Sequence, residues 1–78
     1  MDDDAIGRLL DEMIAQQDAK VRALAHGLAP TLTAEDLLQP PDFAALRQSA
    51  EFNFEDGILA GLKAARIALR AAARRPDS

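Results

Sequence analysis

The chain has 78 residues, one small domain near the size at which a single hydrophobic core only just suffices. It carries 9 Lys+Arg against 13 Asp+Glu, a net charge of -4, with one His and no Cys, Trp or Tyr. Those counts exclude a disulfide framework, a thiol nucleophile, and metal sites built from cysteines or a histidine cluster.

Apolar residues make up 49% and aromatics 4%, while seventeen residues are alanine; each buried alanine removes little area from water. The opening Met1-Asp2-Asp3-Asp4 is the reverse of the basic start of a secretory signal. No apolar run approaches the roughly 18 residues of a membrane span, since residues 57–73 are interrupted by Lys63, Arg66 and Arg70. The expectation is a cytoplasmic protein without membrane contact, folded as a single helical domain over residues 1–78. An apolar half combined with 28% charged residues argues against intrinsic disorder.

The first helix is expected over about residues 4–26. Ile6, Leu10, Met13, Ile14, Val21, Leu24 and Leu28 recur at three-and-four spacing, the mark of one buried stripe. Arg8, Glu12, Ala19, Arg22 and His26 fall on the opposite side. The N-terminal aspartates supply a cap and favourable charge at the positive end of the dipole. At the other end Gly27 suits a left-handed C′ position, with Pro30 as the stop.

The connector, about residues 28–49, contains two further start signals. Thr33 followed by Glu35 and Asp36 reads as a cap and acidic first turn for a short helix over 33–38, which Pro40 and Pro41 end. Asp42 opens a second, with Phe43 and Leu46 turned inward. These apolar residues predict a connector packed as a lid on one end of the helices.

The last helix is expected over about 50–74. Phe54, Ile58, Leu62, Ala65, Leu69 and Ala72 form its predicted inner stripe. Beside them Gly57, Ala60, Gly61, Ala64, Ile67, Ala68 and Ala71 continue around the helix. Glu55, Asp56, Lys63, Arg66, Arg70 and Arg74 are left an arc of only about 100°. One partner helix cannot cover so wide an apolar surface.

The expected architecture is therefore all-α: two long antiparallel helices joined by a connector with one or two short helices, dimerising into a four-helix bundle. The small-residue face from Gly57 to Ala71 is the candidate self-association surface, either for a second copy or for a partner protein's helix. Gln17, near the middle of the first stripe, is the candidate register residue, because a polar side chain in an apolar seam needs a partner.

Charge is uneven: residues 1–56 carry 4 basic and 12 acidic side chains, residues 57–78 carry 5 and 1. Lys63, Arg66, Arg70 and Arg74, with Arg75, form a basic ridge that a nucleic-acid-associated regulator would use. Against that reading, the ridge lacks stacking aromatics, and an antiparallel hairpin sets it beside Asp2, Asp3 and Asp4. Glu51 and Glu55, one turn apart, suggest a carboxylate metal site formed across a dimer, but no Glu-x-x-His accompanies them. Acids in a first helical turn already interact well with the dipole. His26 lies at a helix C-terminus, where a histidine complements the dipole. No nucleophile elbow, phosphate loop or Cys–His pair is present, so neither catalysis nor a cofactor is expected. The leading functional expectation is a non-enzymatic, self-associating accessory module that presents an acidic surface.

Overall fold

The computed structural model describes residues 2–31, 33 and 44–74. Among them 87% are helical and none lies in a strand. The elements are α1 (Asp3–Leu28), α2 (Ala44–Arg47) and α3 (Ala50–Ala73). At 1.5 Å per residue, α1 and α3 are about 39 and 36 Å long.

Each long helix starts on a side-chain cap. Asp2 is extended, and its Oδ1 accepts from the Ala5 N–H at 2.7 Å; Asp3 and Asp4 follow in the first turn. Ser49 does the same for α3, its Oγ accepting from the Phe52 N–H at 3.0 Å. The end of α1 departs from expectation. Gly27 stays helical, α1 runs on to Leu28, and no described residue has positive φ. The stop comes from Pro30, which disfavours helical geometry at the residue before it. Ala29 is accordingly turned out of the helix at φ -143°, while its N–H still bonds the Ala25 carbonyl at 2.8 Å.

The short helix after Asp42 is present as α2, with Leu46 fully buried as expected. The amide of Asn53 ties it to the start of α3, donating to the carbonyls of Arg47 at 3.0 Å and Ser49 at 2.8 Å. Thr33 is not helical; the rest of the expected 33–38 helix, the Pro40–Pro41 stop and Phe43 lie outside the described residues.

Helices α1 and α3 pack antiparallel, as two cross-helix contacts show: Gln17 meets Glu55, and Asp11, earlier in α1, meets Arg66, later in α3. The core sits at the connector end, where Val21 and Ala25 of α1, Leu46 of α2, and Phe52 and Leu59 of α3 are buried together. Ile14, Leu24 and Ala29 pack against them. The molecule is elongated, 48 × 21 × 18 Å, with a radius of gyration of 15.2 Å against about 11.5 Å for a compact domain of this length.

The buried side of α3 is rotated from the predicted stripe. Phe52, Glu55 and Leu59 face α1, with Leu62, Arg66 and Leu69 half-buried behind them. Phe54, expected inside, is 68% exposed, and Ala65 and Ala72 are exposed too. Two residues assigned to the polar arc, Glu55 and Arg66, thus lie in the seam. Arg66 fits there because Gly7 is buried opposite it. A Cβ on Gly7 would stand 3.0 Å from the Arg66 guanidinium, and the Arg66 Nε donates to Asp11 Oδ1 at 2.9 Å.

This rotation makes a sharp prediction. Phe52→Ala opens a cavity in the core and costs about 3–5 kcal/mol, comparable to the whole stability of a domain this small. Phe54→Ala, measured in dilute solution by urea unfolding, costs under about 1 kcal/mol because the ring is already largely in water. Equal losses at the two positions would refute the rotated seam.

Candidate functional site

Two helices side by side make a layer with two broad faces, and here the faces differ. The core residues fix the inner side of each helix. About a quarter to a third of a turn from that side, α1 presents Leu9 and Met13 and α3 presents Phe54, Ile58, Ala65 and Ala72, all exposed. Met13, Gln16, Gln17, Lys20, Ile58 and Leu62 line one shallow groove, which places the α1 and α3 members on the same face. Met13 and Ile58 share the groove with Gln16, Gln17 and Lys20, and Leu9 and Phe54 are exposed on the same side of their helices. Exposed apolar side chains of this size mark a surface suited to contact with another molecule.

A quarter-turn the other way lie Asp4, Asp11, Asp18 and Arg22 of α1 and Asp56, Lys63 and Arg70 of α3. Asp18 and Arg22 bond each other at 2.8 Å across one turn. At the open end of the hairpin Asp3, Asp4, Arg8, Arg66 and Arg70 share a second groove. The basic ridge is therefore interrupted. Arg66 is turned into the seam toward Asp11, and Arg70 lies with two aspartates.

The seven residues of the predicted small-residue surface are all exposed. Six of them lie around the outer edge of α3, away from α1, adjoining the groove side at Gly61 and Ala68, whereas Ile67 lies beside Asp56 and Lys63 on the opposite broad face. A Cβ added at Gly57 or Gly61 would meet nothing within 4 Å, so neither glycine is required by packing within the chain.

Gln17 has its partner inside the hairpin. Its Nε2 donates to the Glu55 carbonyl oxygen at 2.8 Å and to Glu55 Oε2 at 3.2 Å, while Lys20 Nζ lies 2.9 Å from the other carboxylate oxygen. Glu55 is 7% exposed. The Lys20 bond first and the Gln17 bond second hold its carboxyl below the ordinary 4.5, against burial pushing it up. The clamp joins α1 to α3 within one hairpin, with Lys20 and Gln17 lining the groove beside Met13 and Ile58.

Glu51 is exposed, while Glu55 points into the seam. Among the described residues no group of three His, Asp or Glu side chains could hold a metal ion. His26 is exposed in the last turn of α1. Among the described residues no helix is long and apolar enough to cross a membrane.

Reading the sequence alone missed Lys20 and Glu55 as a pair and placed Met13, Phe54 and Ile58 inside, all three of which are exposed. The available signal was Gln17. A glutamine in a seam calls for a polar partner at matching height on the other helix, and counting back along an antiparallel α3 reaches Glu55.

Because the Glu55 carboxyl is lowered in the folded state, its contribution to stability is present above its unfolded value and is lost as pH falls through the folded one. Melting followed from pH 7 to pH 3 should show the wild-type melting temperature dropping below about pH 4.5 more steeply than that of Glu55→Gln. Parallel curves would show that the clamp does not contribute. No protein-family model matches the chain, and no curated protein or solved structure is significantly similar to it.

Proposed function

We propose that this protein is a non-enzymatic helical module that works by self-association, two hairpins closing into a four-helix bundle. The observation that carries this reading is the side of the hairpin on which Leu9, Met13, Phe54 and Ile58 are each exposed and Met13 and Ile58 meet in one groove. A lone hairpin leaves that surface in water. Covering it in the manner of a bundle gives each long helix two apolar contacts instead of one. A partner protein's helix would satisfy the same physics, but a second copy supplies a matching face without any further gene product.

The rival readings draw less support from the geometry. A nucleic-acid contact needs cations turned outward, whereas Arg66 bonds Asp11 and Arg70 shares its groove with Asp3 and Asp4. A carboxylate metal site across a dimer needs Glu55 facing outward, whereas its oxygens are taken by Lys20 and Gln17.

Light scattering over a range of concentrations tests the reading directly. The expected mass is twice the 8.4 kDa of the chain, falling toward one chain on dilution. A mass of 8.4 kDa at every concentration up to the millimolar range would refute self-association.

A further inference from the structure

We propose that Lys20 is the accessible control point of the polar clamp: acylating its amine removes the charge that holds Glu55 in the seam and loosens the middle of the hairpin. The same change at Lys63 leaves the fold untouched. The effect belongs to a single hairpin and holds whether or not two copies pair.

The geometry joins an atom that outside chemistry can reach to one that it cannot. The Lys20 side chain is 58% exposed and that of Glu55 only 9%, yet Nζ and Oε1 stand 2.9 Å apart. The other ion pairs among the described residues lack that form. Asp18 and Arg22 are both open to water. In the pair of Arg66 with Asp11 the cation is the covered member, and a guanidinium is not an acyl acceptor at neutral pH.

No neighbouring group can take over from Lys20. On α1, Asp18 is of the wrong sign and bonds Arg22. On α3, Glu51 is exposed one turn earlier and is also an acid. Gln17 reaches the carboxylate with one neutral N–H at 3.2 Å, its shorter bond going to the Glu55 carbonyl oxygen. The chain has two lysines. The second, Lys63, is exposed and pairs with no described residue.

An acyl phosphate serves as the donor. The Lys20 ammonium gives one proton to water, and the free amine attacks the acyl carbon. A C–N bond forms, the C–O bond to phosphate breaks with its electron pair leaving on phosphate, and the nitrogen loses a second proton to solvent. The product is a neutral amide. Its remaining N–H can still donate, but a neutral donor is roughly half as strong as a charged one. The Lys20 bond is the foremost cause that keeps the Glu55 carboxyl below its ordinary 4.5, with burial pushing the other way. Without the ammonium, burial prevails more and the carboxyl rises. The carboxylate then stays in the seam uncompensated or turns out to water, and either weakens the joint between α1 and α3.

The test installs N-acetyl-lysine at position 20 of one full chain and at position 63 of another. Melting at pH 7 is followed by circular dichroism, and the Glu55 carboxyl carbon is titrated by NMR. Acetylation at 20 should move the Glu55 midpoint upward and lower the melting temperature by about 4–8 °C, a loss on the scale of one net hydrogen bond. Acetylation at 63 should change neither, and Lys20→Arg, which keeps the charge, should stay close to the wild type in both. Adding Glu55→Gln to the chain acetylated at 20 should raise its melting temperature, because no charge is left stranded. That double variant also decides the case in which acetylation at 20 abolishes folding at pH 7. Equal behaviour of the two acetylated chains would overturn the proposal. So would a fall in melting temperature with the Glu55 midpoint unmoved, or a fold lost at 20 that Glu55→Gln does not restore.

Discussion

Two helices can bury only one side of each other. In this chain that limit decides nearly everything else, because the described residues contain two long helices and a single turn of a third. The one side that is covered is used at the connector end, where Leu46 of α2 closes over Phe52. Toward the open end the seam narrows to half-buried Leu62 and Leu69 and to Arg66 on Gly7. Stability is therefore concentrated at one end, and the remainder of the apolar surface is left facing outward.

Within the seam the polar clamp does what packing cannot. Leucine and alanine contacts would tolerate sliding α3 by a turn, since alanines recur along both helices. Glu55 would not tolerate it. A slide of one turn removes the carboxylate from Gln17 and Lys20 and leaves a buried charge without hydrogen bonds, a far larger penalty than a lost methyl contact. The pair so formed does not need to add net stability to be useful; it makes the alternatives worse.

The extent of the long helices was legible because their ends are written in local chemistry: Asp2 and Ser49 cap, and Pro30 stops. Leu46 was legible for a related reason, as an apolar residue in the short helix expected after Asp42. The rotation of α3 was not. A helix with alanines on every side has a weak apolar direction, and Phe52 and Phe54 point to opposite answers. Charge misled as well. Glu55 and Arg66 read as solvent-facing, yet Glu55 finds Lys20 and Gln17, and the long stem of Arg66 lies in the seam with its head on Asp11. Gly7 carried no signal of its own, because its use as a seat for a guanidinium depends on a residue 59 positions away. The expected cap at Gly27 failed because a proline two residues beyond Leu28 already ends the helix.

The contrast between the two broad faces bears on how far assembly can proceed. In the pair proposed above, a twofold contact would consume the same face on both copies and leave the Asp11, Asp18 and Lys63 side outward in both directions. Like surfaces of mixed charge, each well hydrated, offer no broad apolar seat. Growth beyond such a pair would have to use the outer edge of α3, where Ala64 stays exposed with Ile67 beside it, and not the face already consumed.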